Sequence, residues 1–159
     1  MKWTTHELKK LSRTNNQFSF QCHCEQFLDE RDADIVSVSP AKVNGSFRLI
    51  EKDGLYVFDV NIDCHLTMLC ALSLREVDVP LSFDTTITFA EDVTEDYMHP
   101  IDGLTIDLDP YIWSEVMVEK PMKVISEHAR EEYEEDIEEM TEEEKAELSP
   151  FAKLKDKVK

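Results

Sequence analysis

Four cysteines and five histidines supply the residue types of a tetrahedral zinc site, and histidine adjoins cysteine at Cys22-His23-Cys24 and Cys64-His65. The spacing argues against a metal. Structural sites usually take paired ligands from a turn at C-x2-4-C spacing, whereas Cys22, Cys24, Cys64 and Cys70 fall on the apolar faces of predicted strands, with His23 and His65 pointing the other way. Such thiols are expected to pack as small hydrophobes. No C-x-x-C pair offers redox chemistry, and no G-x-S-x-G elbow or similar context activates a nucleophile. The only glycines, Gly45, Gly54 and Gly103, are too scattered for a P-loop or a dinucleotide-binding loop. Asp and Glu number 35, so the closeness of any two carboxylates says little. The expectation is a protein with no catalytic residue, no metal and no cofactor.

The elements that would hold these residues follow from periodicity. Thr5–Leu11 reads as a short basic helix with Thr4 or Thr5 as N-cap and Leu8 and Leu11 on one side. From Gln17 the period becomes two: Phe18, Phe20, Cys22 and Cys24 alternate with polar residues, then Val43, Gly45, Phe47 and Leu49 do the same. Asp53-Gly54 signals a turn. Beyond it, Tyr56 to Cys70 alternates without a break and Val77 to Phe89 answers it. A strand that long is expected to bend, bulge or divide near its middle, and Pro80 points to an edge or a bulge.

Residues 91–103 read as a polar loop and Thr105–Leu108 as a short strand. Asp109 is then expected as the N-cap of a helix with Pro110 at its first position. That helix should run to about Glu119, burying Ile112, Trp113, Val116 and Met117 and leaving Ser114, Glu115 and Glu119 largely outside, with Pro121 ending it. The fold class is therefore α+β: a curved antiparallel sheet, partly closed like a barrel, under a covering helix. One domain is expected over 1–125, comprising a basic segment 1–16, a strand-rich core 17–90 and the strand end and helix 104–120.

Residues 126–159 are different material. Between Glu127 and Glu147 twelve acids face only Arg130 and Lys145. Tyr133, Ile137 and Met140 keep a helical stripe, Thr141 with Glu144 resembles a capping box, and Ser149–Lys155 reads as a small docking element. The extension is either helical or disordered, because like charges repel and little apolar surface offsets the ordering entropy. It mimics phosphates toward a basic partner, or it merely solvates the chain.

A net charge of −18 works against broad nucleic-acid binding, which draws affinity from clustered Lys and Arg. It leaves room for a basic protein or a small local RNA contact. Residues 1–16 are clearly cationic, with Lys2, Lys9, Lys10 and Arg13 against Glu7, and the last residues turn mildly basic; Lys9 and Lys10 are either an RNA contact or ordinary surface residues. The first residues lack the apolar run of a signal peptide, and no stretch approaches the ~18 apolar residues of a membrane span. A cytoplasmic protein with neither membrane nor DNA as partner is expected.

The order of features, from Met1-Lys2-Trp3 through Cys70-Ala71-Leu72-Ser73-Leu74, Ile106-Asp107-Leu108-Asp109-Pro110-Tyr111-Ile112, Glu115 and Pro121-Met122 to Ser149-Pro150-Phe151-Ala152-Lys153-Leu154, resembles the YceD-like family. That resemblance implies a non-enzymatic accessory factor in large ribosomal subunit biogenesis, supporting accumulation or processing of 23S rRNA. Its partners would be the pre-50S particle, 23S rRNA or a basic ribosomal protein. The alternative is an acidic, chaperone-like binder of a free basic protein. Asp107, Asp109 and Pro110 are carried over as architecture first and interface second, and Glu115 as a contact if it is exposed beside the strand-end loop. Many relatives have C-x-x-C where this chain has Cys70 and Ser73, and a further cysteine pair where it offers Ser126. The likeness is thus to Cys-poor members of low-GC Gram-positive bacteria, and any metal of those relatives should be lost here.

Overall fold

The computed structural model describes residues 1–139. Strand β1 (Lys2–Thr4) leads directly into helix α1 (Thr5–Thr14). Thr4 caps that helix: its hydroxyl accepts the Glu7 backbone N–H at 3.2 Å while the Glu7 carboxylate accepts the Thr4 N–H at 2.8 Å, a reciprocal capping box. Accepting that N–H holds the Glu7 carboxyl below its ordinary range. Leu8 is buried and Leu11 is largely exposed, so the apolar side of α1 is one residue wide.

The main sheet holds β2 (Gln17–Cys22), β3 (Ile35–Val38), β4 (Ala41–Ile50), β5 (Leu55–Leu69), β6 (Glu76–Ala90) and β7 (Met98–Pro100). Its order is β2-β4-β5-β6-β7, with β3 also on β5, and it curls into a half-barrel. The fold is α+β, as the alternation required.

The long strand does not divide. β5 and β6 stay in register from Leu55↔Ala90 to Leu69↔Glu76, and the interruption falls on the other flank of β5. There β4 covers Leu55–Asp63, β3 covers Leu66–Met68, and Ser39-Pro40 lies between them. Pro40 has no N–H for a ladder. Ser39 bridges the gap instead, its backbone N–H donating to the His65 carbonyl and its hydroxyl accepting the His65 N–H, both at 2.9 Å. Pro80 sits where β6 has β5 on one flank only, since β7 pairs just with Thr88–Ala90.

Two expectations are corrected and one strand is new. Cys24 opens a 3-10 turn, Cys24–Phe27, and Cys70 follows the end of β5, so only Cys22 and Cys64 lie within strands. The loop 91–103 contains β7, which runs parallel to β6. Strand β3 has no counterpart in the alternation, because a register shift between Ile35 and Ser37 puts its buried residues, Ile35 and Val38, three apart.

Strand β8 (Thr105–Asp107) pairs antiparallel with β1 and feeds helix α2 (Asp109–Glu119). Ile112, Trp113 and Val116 are buried, and Met117 packs against the core. Trp3 stacks on Phe58 with centroids 5.7 Å apart and meets Phe18 and Phe20 edge-on; Phe47 and Phe89 extend the cluster from Phe58. A third helix, α3 (Glu127–Glu139), buries Ala129 and leaves Tyr133 exposed. The expected Met140 end of its stripe, the Thr141–Glu144 box and the docking element at Ser149–Lys155 lie outside the described residues. Among the described residues no helix is long and apolar enough to cross a membrane.

Candidate functional site

The short β1–β8 ribbon alternates like any strand. Trp3 and Ile106 point into the core and Lys2 and Asp107, directly paired, point out. That alternation presents Asp107 at the surface just where the chain enters α2. Leu108 occupies the N-cap position, at φ −79° and ψ −25°, and makes no side-chain cap. Asp109 is therefore the first residue of the helix and Pro110 the second, one place later than the sequence suggests.

Asp109 is not the cap because its carboxylate faces the ammonium of Met1. The capping oxygen comes from Asp107, whose Oδ1 accepts the Asp109 backbone N–H at 3.2 Å. Pro110 has no N–H to satisfy, which makes it well suited to a first turn. Asp107 also lies 4.0 Å from Lys2 Nζ and 3.7 Å from the Met1 nitrogen. Both carboxylates are thus occupied in fixing the strand-to-helix junction.

Tyr111, next along α2, is half-buried. Its ring meets Phe89 edge-on at 4.8 Å and His99 at 4.5 Å. Strand β7 is what delivers His99, by pairing it with Phe89. Together Lys2, Phe89, Asp102, Asp107, Pro110 and Tyr111 line a cleft of about 560 Å³. It presents the Tyr111 ring, backed by the buried Phe89, with one cation and two acids around it, a composition suited to recognition in which a ring supplies contact area and charges set orientation.

The other sequence candidates lie elsewhere. Glu115 is half-buried and turned toward the sheet, accepting a hydrogen bond from the Thr85 hydroxyl at 2.8 Å; it does not line the cleft. Lys9 and Lys10 are exposed on α1. Lys9 and Arg13 border a second cleft of about 390 Å³ with Glu51, Glu91 and Tyr56. The Tyr56 hydroxyl is buried with no hydrogen-bond partner among the described residues, and burial, then the Glu91 and Glu51 carboxylates, push its pKa up. Phe89 reads as core and is core; what the sequence reading missed is that β7 brings His99, read as loop, onto Phe89 and Tyr111.

Cys22, Cys24 and Cys64 are buried, with the Cys22 and Cys24 Sγ atoms 3.5 Å apart. The neighbouring Cys24 and then burial push the Cys22 thiol up. Burial likewise raises Cys64, to about 11. Neutral, desolvated thiols of this kind pack as hydrophobes. Among the described residues no three His, Cys, Asp or Glu side chains gather as metal ligands do.

Residues 58–156 match the model of the YceD family, described as "large ribosomal RNA subunit accumulation protein YceD". The chain belongs to this family. The matched span takes in Phe89, Asp102, Asp107, Pro110 and Tyr111 of the cleft, and excludes Lys2, Lys9 and Lys10. A relative from Bacillus subtilis (strain 168), the uncharacterized protein YlbN, is 27% identical over 135 residues, covering 82% of this chain and 77% of the relative. No solved structure matches.

Membership of the YceD family ties the chain to accumulation of large-subunit ribosomal RNA at the level of the family description. Within the matched span, Cys70 sits in a pocket of donors. Ser126 offers its backbone N–H at 3.5 Å and its hydroxyl at 3.8 Å to the sulfur. The Ser73 hydroxyl, followed by the Ser73 and Ser126 N–H groups, holds the Cys70 thiol down to about 6. The fold thus gathers Ser73 and Ser126 around the Cys70 sulfur.

Proposed function

We propose that the chain is a non-enzymatic accessory factor that binds precursors of the large ribosomal subunit in the cytoplasm and supports accumulation of 23S rRNA. The observation that carries this reading is the family match over residues 58–156. The geometry supports a binding role. Asp107 and Asp109, the carboxylates of the family-like segment, are engaged with the Met1 ammonium, Lys2 and a helix N–H, and beside them lies a cleft that presents the half-buried Tyr111 ring.

A second reading, a holder of a free basic protein, is favoured by α3, which carries eight acids against Arg130 alone. Such charge speeds encounter with a cationic partner and is screened by salt.

Sucrose-gradient sedimentation of lysate in low and moderate salt separates the two. Enrichment with large-subunit precursors is expected from the assembly factor. Confinement to the top of the gradient in both salts would overturn it in favour of the free protein partner.

A further inference from the structure

The polar face of the main sheet carries a trough of about 820 Å³ that crosses β2, β4, β5 and β6. Its residues come in threes of consecutive sequence, such as 44–46, 59–61 and 84–86. Alternation then decides which face is meant. Gly45, Val60 and Thr85 pair in a row whose side chains turn inward, where Thr85 meets Glu115 of α2; they contribute backbone as the floor. Asn44, Asn61 and Asp84 form one wall, and Ser46, Asp59 and Thr86 the other. Helix α2 lies on the opposite face of the sheet, and these wall residues are exposed or half-exposed.

The walls are chemically unequal. Asp59 is satisfied: Arg48 Nε and Nη2 reach its Oδ2 at 3.1 and 3.0 Å, and the Thr86 hydroxyl donates to its Oδ1 at 2.8 Å. Among the described residues Asp84 accepts the Asn61 amide alone, at 2.9 Å, and no cation pairs with it. The Asn44 Oδ1 accepts the Ser19 hydroxyl at 2.6 Å, and among the described residues no acceptor takes its amide N–H groups. The trough therefore offers an open carboxylate beside amide donors and acceptors, in a chain of net charge −18. Phosphates would meet Asp59 and Asp84 with only Arg48 to offset them, and Arg48 is already engaged.

We propose that this trough binds an extended Lys- or Arg-bearing peptide segment laid across the strands. Asp84 takes the cationic side chain, and the Asn44 and Asn61 amides take the peptide backbone. Three strand spacings of ~4.8 Å give a trough ~14 Å long, room for about four extended residues. Assigning the segment to the arm of a basic ribosomal protein rests on the function proposed above; the site itself does not.

The test is fluorescence anisotropy of a labelled Gly-Ser-Lys/Arg peptide of about nine residues, titrated with the full chain, alongside backbone amide shifts of the isotope-labelled chain. Asp84→Lys is expected to weaken binding about tenfold or more, and Asp84→Asn, which keeps the Asn61 contact, to weaken it by less. Glu131→Lys on α3, an equal change of charge, is expected to leave affinity within about twofold. Amides of 44–46, 59–61 and 84–86 should shift. Equal losses for Asp84→Lys and Glu131→Lys, or shifts confined to α3, would reduce the interaction to diffuse electrostatics and overturn the proposal. So would a single-stranded RNA of similar length that shifts the trough amides when the peptide does not. The two readings fail separately: peptide discrimination without precursor co-sedimentation removes the assembly role and keeps the trough, and the converse removes the trough alone.

Discussion

The Thr85 hydroxyl and the Glu115 carboxylate meet at 2.8 Å, a polar clasp between β6 and α2 beside the buried Ile112 and Val116. Hydrogen bonds to charged groups in partly buried settings are worth more than neutral ones, and leaving one partner unpaired costs its desolvation. Glu115→Ala is expected to lower unfolding stability by roughly 1–2 kcal/mol in urea titration. Thr85→Val should cost a similar amount, and the double variant less than the sum. Co-sedimentation with ribosomal precursors should survive at temperatures where the variant stays folded. Its disappearance in a fully folded Glu115→Gln protein would make Glu115 a contact residue.

Cys70 makes stability depend on pH with a defined sign. Its thiol ordinarily titrates near 9.0 and is held at about 6 in the folded chain by Ser73 and Ser126. Between those values the unfolded chain carries the proton and the folded chain does not, so stability rises with pH. The contribution is complete above about pH 9 and is lost as pH falls through about 6. Urea midpoints measured across this window should rise with pH in the parent chain and flatten in Cys70→Ala. An unchanged slope in the variant would assign the dependence to other groups.

Trp3 joins the core to the cleft. Its ring stacks on Phe58, while its backbone pairs with Ile106 and so positions Asp107 and the start of α2. Trp3→Ala should cost about 3–5 kcal/mol, as large-to-small changes at buried aromatic sites do. Hydrogen exchange should show the first loss of protection at Thr105–Asp107, ahead of β5. Uniform loss across both would mean that the ribbon and the sheet open as one unit.

Much of this was legible in the sequence because period-two alternation is a strong signal when it is long. Tyr56 to Met68 predicted both the strand and its buried face, and Val77 to Phe89 predicted its partner. What escaped depended on pairing. Strand β3 carries a register shift that destroys its alternation, and β7 is three residues made visible only by its parallel partner. The Asp-Pro signal located α2 to within one residue and misassigned the cap, because no local rule says that the Asp109 carboxylate is taken by Met1 from the far end of the chain. The cleft is half legible, through Asp107, Pro110 and Tyr111, and half hidden, through Phe89 and Asp102. The trough is invisible in the sequence, since Asn44, Asn61 and Asp84 become neighbours only through the register of three strands.

Under the proposed function two surfaces are candidates for the precursor contact: the cleft around Tyr111, and α1 with Lys9 and Lys10. The family match begins at residue 58 and so contains the cleft's Phe89, Asp102, Asp107 and Tyr111, though not its Lys2, and none of α1. A role common to the family is better served by residues inside the matched span. Tyr111→Ala, and Asp102→Lys at the exposed rim, are therefore expected to move the protein out of precursor fractions. Lys9→Glu with Lys10→Glu should chiefly reduce the salt dependence of association, by about one unit of slope for each phosphate no longer neutralised. Unfolding midpoints guard the comparison, since Tyr111 packs on Phe89 whereas Asp102 is exposed. If the double lysine variant alone leaves the precursor fractions while both cleft variants stay, the binding surface belongs to α1, and RNA phosphates rather than a protein surface are what it grips.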